Sequence, residues 1–147
     1  MSISNGVWNA QLTIGNIPSV SPAVFQLNSG HEGAILAYDP SGTVAVPSSS
    51  NPAHPGDVIA ICCTGLGPVS ADQADGVAVE VGALVTTEEA SQVEIGGQKA
   101  TALFSGLAPG FVGLYQVNAT VPQVSGTVPV TINILGVTSM PVTIVVK

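Results

Sequence analysis

The chain has 147 residues, of which 46% are hydrophobic and only 7% are charged, and this length suits one domain with a core of its own. Nine acidic residues and two lysines, with no arginine, give a net charge of −7. That balance excludes nucleic-acid binding, which needs clustered basic side chains, and it disfavours anionic membrane surfaces. Glycine, proline or polar residues interrupt every apolar run, so no membrane-spanning helix is predicted.

Alternation of apolar and polar residues with a period of two predicts β-strands along most of the chain. The 11 prolines and 17 glycines disfavour helices. The predicted strands are 6–14, 23–27, 33–38, 43–47, 57–65, a hairpin over 92–106, 113–122, 127–135 and 138–147. Nine or ten short strands with turn signals at this spacing predict an all-β, immunoglobulin-like β-sandwich.

The serine- and proline-rich run "SSSNPAHPG" (48–56) is a linker between two parts of the chain. We expect residues 51–147 to form the sandwich. Residues 1–50 are expected to add N-terminal strands and a hairpin at its edge, or to belong to an incomplete domain. The hairpin turns at "DPSG", where proline supplies a suitable φ.

The first 15 residues lack the basic and apolar regions of a signal peptide. The composition, rich in serine and threonine and poor in lysine, is nevertheless typical of extracellular modules. Either the protein is cytosolic or this chain is a fragment of a secreted protein, and the composition favours the second, placed outside the cell or at its surface.

Strict alternation in the second half predicts which side chains face the partner sheet. In "GLYQVNATVP" the inward set begins with Tyr115, whose buried hydroxyl needs a hydrogen-bond partner on the backbone. The other residues predicted to point inward are Val117, Ala119, Val121, Val128, Val130, Ile132, Ile134, Val142, Ile144 and Val146.

The run "SGLAPGFVGLYQVNATVP" (105–122) is specific, yet it contains no acid, base, thiol or charge. We interpret it as a structural signature. Its glycines and first proline, Gly106, Pro109, Gly110 and Gly113, would shape a crossing between sheets where other residues would clash. Tyr115 would fix the corner, and Pro122 would end the strand.

Cys62 and Cys63 are adjacent. Neighbours on a strand point to opposite faces, so we expect one thiol in the core and one facing outward, both unpaired. In an extracellular setting the outward thiol could form an intermolecular disulfide.

Three segments, "PGDVIAICCTGLGPV", "VEIGGQKATALFSG" and "GTVPVTINILGVTSMPVTIVV", resemble the IPT/TIG type of immunoglobulin-like domain. Nearly the whole chain, with "SPAVFQLNSGHEGAILAYDPSGT" and "SGLAPGFVGLYQVN", resembles the uncharacterised C-terminal domain family of Solibacter-type acidobacterial secreted proteins. The resemblance implies the fold and an extracellular setting. That family has no assigned activity, so the resemblance implies no catalytic residue or cofactor.

Candidate metal ligands are sparse. Asp72 and Asp75, with Glu80 as a third candidate ligand, resemble a weak calcium-binding loop of an extracellular module, although the EF-hand spacing is missing. His31 with Glu32, and His54 with Asp57, offer fewer ligands than zinc sites usually have. We expect no cofactor, with Ca²⁺ as the alternative.

No nucleophile-elbow motif is present. A triad of Ser105 or Ser125 with a histidine and Asp57 is the remaining arrangement for a hydrolase. Glu88 and Glu89 are interpreted as a solvated pair, and the single tryptophan, Trp8, as packed over a core edge.

The sequence thus favours a non-catalytic extracellular module that anchors, spaces or self-associates. Its partners would be proteins or polysaccharides at the cell surface, or a second copy paired through an open edge at "PVTIVVK" or "GVWNAQLTI". A carbohydrate- or calcium-binding adhesion module is the first alternative, and a hydrolase with an unrecognised site is the second.

Overall fold

The computed structural model describes residues 18–147 and, before them, the backbone of two short strands. Those strands, Ser2–Ser4 (β1) and Asn9–Gln11 (β2), pair antiparallel with each other. The predicted strand over 6–14 lies partly outside the described residues, and Trp8 lies wholly outside them.

One sheet of the main body contains six antiparallel strands. They are β3 (Ala23–Val24), β4 (Ile35–Tyr38), β5 (Val44–Ala45), β6 (Val58–Thr64), β9 (Ala102–Leu107) and β10 (Tyr115–Thr120). The order across the sheet is β5-β4-β6-β10-β9, and β3 pairs with the end of β6 that β4 leaves free. β3, β4 and β5 therefore build one edge of this sheet.

The second sheet contains five antiparallel strands. They are β7 (Gln92–Ile95), β8 (Gln98–Ala100), β11 (Gly126–Ile134), β12 (Val137–Thr138) and β13 (Val142–Val146). β11 is its centre, because β7 pairs with one side of it while β12 and β13 pair with successive parts of the other side. β8 continues the sheet beyond β7.

A single main core lies between the two sheets and draws buried residues from both. Ile59 and Ile61 of β6 are fully buried, as are Val130 and Ile132 of β11. Residues 18–147 contain no helix, so none of them forms a helical membrane span. The all-β prediction is confirmed at the level of a two-sheet β-sandwich.

The predicted inward faces are also confirmed. Val117 and Ala119 have no exposed surface, and Val142 has none either. The other predicted core residues are all less than one-tenth exposed: Val121, Val128, Val130, Ile132, Ile134, Ile144 and Val146. Burial of a period-two apolar face is the expected result for strands with one side against a partner sheet.

The predicted crossing between sheets at 106–113 is wrong. β9 and β10 are neighbours in the same sheet, so the segment between them is a hairpin loop. The crossing lies earlier, at Thr101, where the chain leaves β8 in one sheet and enters β9 in the other. The segment predicted as a hairpin over 92–106 therefore contains three strands. Its second arm is divided into β8, which belongs to one sheet, and β9, which belongs to the other.

The edge at "PVTIVVK" is not open, contrary to the prediction. The Thr143 amide donates to His31 O at 2.8 Å, and the Gly33 amide donates back to Thr143 O at 3.1 Å. Further along β13, Ala53 exchanges hydrogen bonds of 2.9 Å with Val145 and Lys147. Two earlier segments thus cover this edge, and four of its backbone groups, on Thr143, Val145 and Lys147, already have partners.

Candidate interaction surface

The long loop between β6 and β7 packs on one end of the sandwich through a small core of its own. Val79 and Val85 from the loop contact Leu107 at the end of β9, and all three are buried. Val69 and Tyr115 pack against this cluster from the side. The loop is therefore held on the body by apolar contacts.

Tyr115 packs against both the main core and this small cluster, and its hydroxyl has the predicted backbone partner. Its hydroxyl donates a hydrogen bond of 2.5 Å to the carbonyl oxygen of Gly67, in the turn that follows β6. Burial, and then the neighbouring Cys63, raise the pKa of the Tyr115 phenol. The hydroxyl thus stays a neutral donor that ties the loop to β10.

The hairpin loop after β9 turns at Pro109 and Gly110. The Phe111 amide donates to Ala108 O at 3.3 Å across the turn, and Gly110 has a φ of 82°. Proline followed by a glycine with positive φ is the pattern of a type II turn. The Gly110 amide also donates to Val79 O at 2.7 Å, which joins this loop to the long one.

Five large apolar side chains are exposed on these two joined loops, and Val77, at 53%, is the least exposed of them. Val81 and Leu84 are 88% and 75% exposed, and Phe111 and Val112 are 60% and 58% exposed. We call these four residues the apolar tip. A cluster of large exposed apolar side chains is characteristic of an interaction surface.

A groove of about 450 Å³ adjoins the tip, between residues 84–91 of the long loop and the outer edge of β9. Leu84 is shared by the tip and the groove, Leu103 and Phe104 line the strand side, and Glu88 and Glu89 line the loop side. We call it the Glu88 groove. It combines an apolar lining with two adjacent carboxylates.

A network of hydroxyl groups fixes the loop side of the groove. The Ser105 hydroxyl is hydrogen-bonded to the hydroxyls of both Thr87 and Ser91, with an oxygen–oxygen distance of 2.9 Å in each case. Thr87 Oγ1 also donates to Glu89 O at 2.7 Å, and the Glu88 amide donates to Pro68 O at 3.0 Å. Thr87 and Ser91 are buried, so water competes little for these bonds.

The predicted calcium candidates do not form a cluster. Asp72, Asp75 and Glu80 are all exposed on the long loop. Within the described part of the chain, no three histidine, cysteine or acidic side chains come together in a way that suits a metal ion.

The two histidines lie in different surroundings, and each is exposed. His54 Nδ1 is 3.7 Å from Asp57 Oδ2, and the His54 amide donates to the same oxygen at 2.7 Å. His31 uses its carbonyl oxygen to hold β13. Ser105 bonds to Thr87 and Ser91, and across residues 18–147 no serine hydroxyl is hydrogen-bonded to a histidine side chain.

The adjacent cysteines point to opposite faces of β6, as predicted. Cys63 is fully buried and Cys62 is half-buried, and both are free thiols. Burial raises the pKa of both, and with the added repulsion of Cys62 the pKa of Cys63 reaches about 12. Cys63 is therefore a neutral core residue at physiological pH.

Sequence reasoning missed the tip and the groove. It treated Glu88 and Glu89 as a solvated pair and the residues around Phe111 as purely structural. The available signal was "GFVG", two large apolar residues between glycines in a loop, and "VEVGALV" in another loop. Neither run shows by itself that the two loops meet.

Comparison of the chain with known protein families, with curated proteins and with solved structures found no match.

Proposed function

We propose that this chain is a non-catalytic structural and interaction module of a secreted bacterial protein, and that it binds a protein partner through the apolar tip. The exposure of Val81, Leu84, Phe111 and Val112 on two hydrogen-bonded loops carries the proposal. Only 7% of the chain is charged, and other large apolar side chains are exposed elsewhere, such as Leu27, Leu135 and Met140, but the four of the tip lie on two loops that are hydrogen-bonded to each other. Four large apolar groups at one end favour a contact that removes them from water.

Most strand edges of the two main sheets support the same choice, because they offer little to a partner. The β13 edge is hydrogen-bonded to residues 31–33 and 53. Part of the β9 edge is bonded to residues 85–87. β5 and β12 have two residues each, and β8 has three with Lys99 at its centre. Short strands and covered edges are devices that oppose pairing between chains.

As to the type of sandwich, we propose the immunoglobulin-like IPT/TIG type and membership of the Solibacter-type C-terminal domain family. Support comes from the sequence runs that resemble both. The arrangement of two antiparallel sheets with a switch of the chain between them at Thr101 is compatible with this type.

A photocrosslinking experiment tests the proposed function. A benzophenone amino acid replaces Phe111 in the tip or, as a control, Thr127, an exposed residue of β11 in the other sheet. With the protein exposed to its native extracellular mixture, we expect an adduct of one defined mass from position 111 and none from position 127.

The double substitution Val81→Ser with Leu84→Ser should remove that adduct while the melting temperature stays near that of the parent. Equal labelling from both positions, or an adduct that survives the double substitution, would show that the tip is not the binding surface.

A further inference from the structure

We infer that the Glu88 groove binds an extended segment of a partner protein that carries lysine or arginine next to an apolar residue. This inference rests on the proposed function, because it assigns a partner chemistry to the same end of the sandwich. It depends on the charge of the groove, the free edge of β9 and the rigidity of the loop side.

The groove is negative and its charge is not balanced within the described chain. Glu88 and Glu89 are adjacent and exposed, and the groove has no basic side chain in its lining. The chain has two lysines. Lys99 lies beside Glu94 on the outer face of the five-stranded sheet, and Lys147 lies beside Pro55 and Gln123. A cationic ligand would therefore meet two carboxylates without a competing cation.

The strand side of the groove presents backbone as well as apolar surface. Residues 85–87 are hydrogen-bonded to the backbone of β9 at Ser105 and Leu107. These hydrogen bonds do not continue past Ser105 toward the start of β9. The pairing of β9 with β10 shifts register between Phe104 and Ala102, which leaves Leu103 as an extra residue. Leu103 is 57% exposed on the uncovered stretch. A short extended segment could align there by backbone hydrogen bonds and cover Leu84 and Leu103 with an apolar side chain.

The loop side is arranged before any ligand arrives. The buried Thr87 and Ser91 hydroxyls bond to Ser105 on β9, and the backbone on either side of Glu88 is bonded to Pro68 and Thr87. The two carboxylates therefore project from a fixed backbone. Little ordering of the loop has to accompany binding, which favours affinity.

Charge disfavours a second copy of this chain and a neutral polysaccharide as ligands of the Glu88 groove. A second copy brings another −7 and only two lysines, so its approach to a pair of glutamates is repulsive. A neutral polysaccharide gains nothing from two unpaired carboxylates placed together. A segment with lysine or arginine gains an ion pair and places its apolar neighbour on the groove lining.

The test uses two labelled pentapeptides, Ac-Lys-Val-Lys-Val-Lys-NH₂ and Ac-Gln-Val-Gln-Val-Gln-NH₂, in fluorescence anisotropy at low and high salt. We expect the basic peptide to bind, with affinity that falls as salt rises, and the neutral peptide to bind more weakly. The double substitution Glu88→Gln with Glu89→Gln should weaken binding of the basic peptide by about fivefold, the scale of two exposed ion pairs. The matched control, Glu32→Gln with Glu94→Gln, removes the same charge outside the groove and should change binding little.

Equal weakening by both double substitutions, or equal binding of the two peptides, would overturn the inference. So would a neutral oligosaccharide that competes for the groove, or a dimer in sedimentation that Leu103→Ser disrupts. If the adduct from position 111 forms while the basic peptide fails to bind, the proposed function holds and this inference fails. If the peptide binds while no adduct forms, the failure lies with the proposed function of the tip.

Discussion

Gly106 and Gly113 lie seven residues apart in one run of sequence, and each is needed for a different physical reason. A Cβ on Gly106 would lie 2.1 Å from the carbonyl oxygen of Val85 and 2.9 Å from the Cα of Thr86. Both are backbone atoms of the segment that covers β9, so they cannot move aside alone. A Cβ on Gly113 meets nothing within 4 Å, but the residue has a φ of 65°. The predicted clash is therefore right for Gly106 and wrong for Gly113, where backbone conformation is the constraint.

We predict that Gly106→Ala destabilises the fold by more than about 2 kcal/mol, because the covering segment must shift from β9. Gly113→Ala should cost about 1 kcal/mol, the usual penalty for a left-handed conformation. Denaturant unfolding of both variants measures the difference. Equal losses would contradict the assignment of crowding to Gly106 alone.

Because of Cys63, the free energy of unfolding should depend on pH in the alkaline range. Its pKa is raised to about 12 by burial, whereas in the unfolded chain the thiol ionises near its ordinary value of about 8.5. Below that value both states hold the proton, and stability is unaffected. Above it the unfolded state loses the proton first, so the free energy of unfolding falls as pH rises toward 12.

The variant Cys63→Ala should show a shallower fall of the unfolding free energy between about pH 9 and 11, although it is less stable at neutral pH. The control Cys62→Ala keeps the buried thiol and should retain most of the parent's slope. Urea titrations at several pH values provide the measurement. Parallel pH curves for the parent and Cys63→Ala would show that another group controls the alkaline loss.

At the scale of elements, the strand edges are protected by cover and by shortness more than by charge. β13 would otherwise be a five-residue apolar edge strand, but residues 31–33 and 53 fill its hydrogen-bonding positions. The edge of β8 is protected differently. The two-residue turn at Gly96 and Gly97 makes Ile95 and Gln98 a hydrogen-bonded pair, so the backbone amide of the next residue, Lys99, points away from β7. A lysine on a three-residue edge is a common guard against pairing.

These edges should differ in amide hydrogen exchange. We predict slow exchange for the amides of Thr143 and Lys147, which donate to His31 O and Ala53 O at 2.8 and 2.9 Å. The Lys99 amide, on an open edge, should exchange near the rate of an unprotected amide. Fast exchange at Thr143 and Lys147 would mean that β13 is open in solution and available to another chain.

At the scale of the whole molecule, the charged residues are few and most of them are acidic. The nine acids and two lysines give −7 at pH 7, and the isoelectric point is near 4.2. Mutual repulsion therefore opposes association at neutral pH, even though the apolar tip is exposed. That repulsion disappears as the carboxylates take up protons.

Light scattering should rise steeply as the pH falls from 7 toward 4.2, and the tip should dominate the contacts that form. Val81→Ser with Leu84→Ser is expected to reduce the scattering at pH 4.2, whereas Thr127→Ser, at an exposed position on β11, should not. Scattering that is independent of pH would contradict the role assigned to net charge.

Several features of this protein could be predicted from short stretches of sequence. Alternation along "QVNATV" and "TVPVTINI" was sufficient to identify the inward faces, and the hydroxyl of the half-buried Tyr115 has the backbone partner that was predicted for it. The absence of arginine and the scarcity of lysine also predict that nucleic acid is not a partner, and this stays a prediction. The inward faces could be identified because side-chain direction in a strand repeats every two residues.

The tertiary structure decided which edges are covered, where the chain crosses between sheets and which surface remains apolar. The His31 carbonyl meets the Thr143 amide across 112 residues of sequence, and the long loop meets the Phe111 hairpin across about 30. No local period encodes such pairings, because they depend on how two distant segments are placed by the same core. The sequence alone therefore determined the layers and their faces, while packing between distant segments created the tip and the Glu88 groove.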